Sequence, residues 1–132
     1  VIDDVYYQIN TSGSDIVPED YVGKYKEYVT NVNWRHKTNQ AHKDIIELHK
    51  WLEDKNIKHI FFNGNNTFDQ IQTKFDFGTT YIEPYNKNFS YNEYLTGEGM
   101  LPVVFNSYHF GADGHSLWAK YLLKYIIKNN LI

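Results

Sequence analysis

The chain has 132 residues, is 42% hydrophobic and 17% aromatic, and carries a net charge of −3 with an isoelectric point near 6.0. That length suits one domain with a real core, and aromatics this dense exclude a disordered chain. The acidic balance excludes nucleic-acid binding by bulk charge, the lack of cysteine excludes disulfide, zinc-thiolate and thiol chemistry, and no apolar run approaches the roughly 18 residues of a membrane span.

Residues 1–9 (VIDDVYYQI) hold enough β-formers for a short strand, and 10–16 (NTSGSDI) are turn chemistry. No signal-peptide pattern opens the chain, and Val1 in place of Met points to a processed chain or to a piece of something longer. Pro18, Glu19 and Asp20 predict a helix start, because proline tolerates the first helical position and acids suit the dipole there. Tyr21, Tyr25, Tyr28 and Val29 follow at helical spacing, and Asn31 to Asn33 end the helix. A second helix is expected from a Thr38 cap to Lys55 or Asn56, with Ala41, Ile45, Leu48 and Leu52 as its apolar face.

Residues 58–63 (KHIFFN) read as a strand buried on both faces, as in a parallel sheet. Residues 64–89 read as irregular and rich in aromatics. Ser90 and Glu93 form a capping box for a short helix carrying Tyr91, Tyr94 and Leu95, with Gly97 as its stop. Residues 101–105 (LPVVF) read as a second strand. Asp113 is the expected cap of a final helix whose apolar face holds Leu117, Trp118, Tyr121, Leu122, Tyr125 and Ile126. This order predicts an α/β class with a short parallel sheet, in one domain over residues 1–132. A sheet of two or three strands is thin beside the usual five or six, and its apolar edge would be open. The chain is therefore expected either to form a homodimer through that edge or to be the C-terminal part of a larger fold.

Ligands of open α/β sheets bind beyond the carboxyl ends of the strands. Two segments leave those ends, one at Asn63 to Asn66 and one at Asn106 to Gly111. Asn63 and Tyr108 are the candidate substrate contacts, and His109 is the candidate base because imidazole titrates near neutral pH. A loop histidine can equally hold its loop by bonding a carbonyl. His115, in the first turn of the last helix, reads as a buried tie between helix and loop. His42 and His49 stand seven apart and lack the i, i+4 histidine pair of zinc helices, so no metal and no cofactor are expected. No serine has a nucleophile-elbow context, and no glycine-rich phosphate loop is present.

The run His109-Phe110-Gly111-Ala112-Asp113-Gly114-His115, followed by Leu117-Trp118-Ala119 and Leu122, resembles the last block of the SGNH (GDSL) hydrolases. That block has a catalytic His, Gly-His five and six positions on, and a helix with a Trp-Ala or similar pair. Phe110 stands where proline is usual. The stretches 37–42 (KTNQAH), 59–63 (HIFFN), 81–85 (YIEPY) and 107–111 (SYHFG) are similar to SGNH-like proteins of marine bacteriophages. The resemblance covers most of the chain but only the C-terminal half of the family's fold.

What it implies is a partial flavodoxin-like three-layer α/β/α fold with its N-terminal strands missing, and His109 as the base that activates a serine. An acid usually stands three residues before that His; here Asn106 does, which can hold the ring but cannot stabilise imidazolium as a carboxylate does. The serine block is missing: Gly13-Ser14-Asp15-Ile16 has no apolar strand leading into it. The family's oxyanion glycine and asparagine blocks are also unseen. The resulting expectation is the C-terminal part of an ester or acyl hydrolase for a small ester or acylated glycan. It would carry the base without the nucleophile and be little active in isolation. The alternative is a non-catalytic binding or virion-associated module on the same fold. Neither reading calls for nucleic acid or a membrane, and a soluble location, in the cytoplasm or on a virion, would fit both.

Overall fold

The computed structural model describes residues 19–104 and 107–131. The strand expected at 1–9, the turn at 10–16, the role of Pro18, and Asn106 lie outside the described residues. The chain divides into two compact units, residues 1–37 and 38–132.

In the first unit, α1 spans Glu19–Asn31, where a helix is predicted. Asn33 then caps α2: its Oδ1 accepts from the His36 N–H at 2.9 Å. Helix α2 spans Trp34–Asp54, so the expected start at Thr38 is corrected. Nothing between Trp34 and Thr38 breaks a helix, and the earlier asparagine caps as well as the threonine would.

In the second unit, the buried residues of α2 are His42 and His49, with Ile45 and Ile46 half-buried beside them. Ala41 and Leu48, expected on the apolar face, are exposed. The buried face is rotated because two histidines find partners inside. The helix ends in a Schellman turn. Asn56 sits in the left-handed region at φ 53°, and the N–H groups of Asn56 and Ile57 donate to Glu53 O and Leu52 O at 2.9 and 2.8 Å.

That turn feeds β1, Phe61–Phe62, inside the predicted strand, but Phe61 is half-buried and Phe62 exposed, so the expected burial on both faces is corrected. Its partner β2 is Tyr81–Ile82, paired in parallel with Phe61 opposite Tyr81 and Phe62 opposite Ile82. The second strand expected at 101–105 is corrected. Pro102 forms only an isolated antiparallel bridge to Phe110, and Val103 N–H donates to His109 O at 2.9 Å. Leu101, Val103 and Val104 stay exposed, Leu101 at 84%. The apolar run lacks a covering layer, and without one it gains no burial from extending the sheet.

Helix α3 spans Tyr91–Gly97, and Ser90 Oγ accepts from Glu93 N–H at 3.1 Å, the cap expected of that box. Gly99, at φ 80°, supplies the left-handed turn that follows. Helix α4 spans Ala112–Lys128. Gly111 is its N-cap without a side-chain bond, so Asp113 is corrected from cap to first-turn acid, still favourable to the dipole.

Among the described residues, two apolar clusters form. The first joins Phe68, Ile71, Phe77 and Tyr81 with Ile45, Ile46, Phe61, Phe75 and Tyr85. The second joins Leu95, Phe110 and Trp118 with residues of α3 and α4, including Tyr91, Tyr94, Leu117 and Tyr121. Successive strand residues point to opposite faces. Phe61 enters the first cluster, while the Phe62 ring lies 5.1 Å from Trp118 in the second. The result is a small α/β fold with mixed helices and a two-stranded parallel sheet. Among the described residues, no helix is long and apolar enough to cross a membrane.

Candidate functional site

Beyond the carboxyl end of β1 lies a cavity of about 340 Å³. Phe62 and Gly64 line it from the strand exit, Tyr91 from the start of α3, Tyr108 to Phe110 from the arm, residues 107–111, that leads into α4, and His115 and Trp118 from α4. Local chemistry sets this gathering. The N–H groups of Tyr91 and Asn92 donate to Asn63 O and Gly64 O at 2.8 and 3.1 Å, which pins the start of α3 to the strand exit. Asn92 Nδ2 also donates to Asn65 Oδ1. On the other side the Pro102–Phe110 bridge holds the arm, and Phe110 anchors it at 6% exposure against Leu95 and Trp118.

The walls are aromatic. Tyr91 meets Phe110 and Trp118 edge-on, with ring centroids 5.7 and 5.4 Å apart. Two histidines supply polarity at the exposed side. His115 is exposed, where a buried tie is expected. Its Nδ1 still pairs with the Tyr91 hydroxyl at 3.0 Å, so it does join α4 to α3. Burial raises the Tyr91 pKa. His109 is also exposed. Its backbone N–H donates to Ser107 Oγ at 3.2 Å, and among the described residues no group bonds its ring. Trp118 is 6% exposed, and its indole N–H has no acceptor among the described residues.

Of the residues singled out from sequence, the structure brings Tyr108 and His109 to one cavity, with Tyr108 68% exposed. Asn63 stands between two lining residues, but its side chain turns inward. Its Oδ1 accepts from the Tyr81 hydroxyl at 2.7 Å, and its Nδ2 donates to Pro84 O at 3.2 Å. Asn106 lies outside the described residues. Phe62, Tyr91 and Trp118 join the site without a local signal in the sequence. Phe62 and Trp118 looked like core residues, and only the pairing of α3 with the strand exit identifies Tyr91.

Side chains able to hold a metal lie elsewhere. Among the described residues, His49, Glu53 and His59 form one such group, with ligand atoms within 4.8 Å of one another. None of them lines the cavity at His109. No protein-family model matches the chain, and no curated protein and no solved structure matches it.

Proposed function

We propose that the cavity beyond β1 is a substrate site of the ester- or acyl-hydrolase kind, with His109 as its proton acceptor. The observation that carries this reading is the exposed His109 ring at the mouth of an aromatic cavity at the strand's carboxyl end. An imidazole there can take a proton from a hydroxyl or a water as it attacks an ester carbonyl. Phe62, Tyr91 and Trp118 offer an apolar bed for an acyl chain or a sugar face. Phe61 and Phe62, turned to opposite clusters, are what a helix–sheet–helix sandwich requires, and so support a flavodoxin-like arrangement as the frame.

Among the described residues, no serine or threonine hydroxyl bonds the His109 ring. This favours the second reading, a binding module that holds an acylated or aromatic ligand without cleaving it. The two readings separate in one experiment. The purified chain and His109→Ala are assayed for p-nitrophenyl butyrate hydrolysis and labelled with a fluorophosphonate, read by intact mass. The catalytic reading expects slow, saturable turnover that drops at least tenfold in the variant. Because no hydroxyl bonds the His109 ring among the described residues, no adduct is expected. Saturable turnover that survives in His109→Ala overturns the role of His109. Saturable binding of the ester without turnover selects the binding module, and no saturation at all removes the cavity as a substrate site.

A further inference from the structure

We propose that His49, Glu53 and His59 form a binding site for a divalent transition metal, with zinc the best-matched ion. The site lies where helix, turn and strand meet, away from the cavity at His109. His49 and Glu53 are one helical turn apart on α2 and share a face. The Schellman turn at Asn56 folds the chain back, which carries His59 to the same place. His49 Nδ1 and His59 Nε2 then lie 2.9 Å apart, and one ligand atom from each of the three residues falls within 4.8 Å of the others. Zinc binds imidazole nitrogen at roughly 2.0–2.1 Å and carboxylate oxygen at roughly 2.0–2.2 Å, so both nitrogens can reach one ion at that separation.

The surrounding hydrogen bonds set the His59 tautomer that a metal needs. Ile57 O can only accept, so His59 Nδ1–H donates to it at 2.8 Å, and the Nε2 lone pair faces His49. A carbonyl on the far nitrogen is a common outer-shell support of a ligating histidine. The Thr80 hydroxyl donates to Phe77 O at 2.7 Å, so its oxygen, 3.2 Å from His49 Nδ1, is an acceptor. Without an ion, the Nδ1 proton of His49 bridges to His59 Nε2 and Thr80 Oγ1. An ion takes the place of that proton, and His49 shifts to its Nε2–H tautomer.

Phe75 and Phe77 stand 5.6 and 5.3 Å from the His49 ring and close its inner side. Glu53, His59 and Thr80, but not His49, line a cavity of about 210 Å³. It leaves a fourth position for water or an exogenous ligand. Three protein ligands with an open position is the pattern of catalytic zinc sites, whereas structural sites are closed.

The test titrates the full chain, stripped with a chelator, with zinc chloride by calorimetry at neutral pH, beside Glu53→Gln and His59→Ala. Neither residue is buried, and circular dichroism confirms that the variants remain folded. One zinc per chain is expected, bound at least tenfold more weakly by Glu53→Gln and at least a hundredfold more weakly by His59→Ala. Equal affinity in all three proteins would put the ion on other histidines and overturn the proposal. A wild-type dissociation constant weaker than about 1 mM overturns it as well.

Discussion

Gly114→Ala probes the packing that holds α3 and α4 around the cavity at His109. Gly114 is buried in the first turn of α4, and a Cβ placed there meets Phe110 Cβ at 2.8 Å, Leu95 Cδ1 at 3.4 Å and Phe110 Cγ at 3.5 Å. Ordinary contacts begin at 3.4 Å, so several tenths of an ångström must be found. Phe110 Cβ is fixed to its backbone and cannot rotate away, and Leu95, at 0% exposure, has no free space to move into. Two effects compete. Alanine favours a helix over glycine by up to ~1 kcal/mol. Overfilling a packed core costs typically ~1–3 kcal/mol, and a clash against a fixed atom belongs in the upper part of that range. The net loss is ~1–2 kcal/mol, or a melting temperature lower by roughly 3–8 °C for a chain of this size. Gly97→Ala, at the end of α3, meets nothing within 4 Å and serves as the control, neutral or slightly stabilised. Thermal melts by circular dichroism at neutral pH decide the matter. A Gly114→Ala chain that melts at or above the wild-type temperature would refute the reasoning. The same contact gives the glycine of the Gly114-His115 pair a packing reason for being there.

Leu95→Ala empties a fully buried position in the second cluster and should destabilise by ~2–5 kcal/mol in urea unfolding, a cavity cost that a loss under ~1 kcal/mol would contradict. Tyr81→Phe removes the donor to Asn63 Oδ1 and leaves that buried acceptor unpaired, at about 1–3 kcal/mol. Burial pushes the Tyr81 pKa up to about 12, so this loss should be the same at neutral and mildly alkaline pH, and a urea midpoint equal to wild type would sink the assignment. Stability should also fall on acidification. His42 and His49 both have folded-state pKa values lowered by burial from 6.5. Above 6.5 both states are neutral and stability is full. As pH falls through 6.5 the unfolded chain takes up protons that the folded chain does not, and the loss levels off below the folded-state values. Urea midpoints that rise as the pH is lowered would contradict this sign.

Periodicity, caps and turn residues are local, and where they governed, the sequence was enough. Glu19, the Ser90–Glu93 box and the apolar spacing of α4 announce three helices, and the Phe61–Phe62 run announces a strand. The cavity at the strand exit was legible in part, because a ligand edge follows from α/β wiring and His109 stands on it. Long-range packing decided the rest. The partner of β1 is the two-residue Tyr81–Ile82, too short to show a period, while the more apolar 101–104 stays outside because no layer covers it. The buried face of α2 is set by His42 and His49, which read as polar until their partners are known. His42 Nε2 meets the Tyr85 hydroxyl at 2.8 Å, and His49 Nδ1 meets His59 Nε2 at 2.9 Å. His49, Glu53 and His59 show no paired-histidine pattern on one helix because His59 joins the other two only after the chain turns at Asn56. The pattern of a sequence reports which residues could be buried, but an imidazole or a short strand is stabilised inside only by partners that the tertiary fold brings to it.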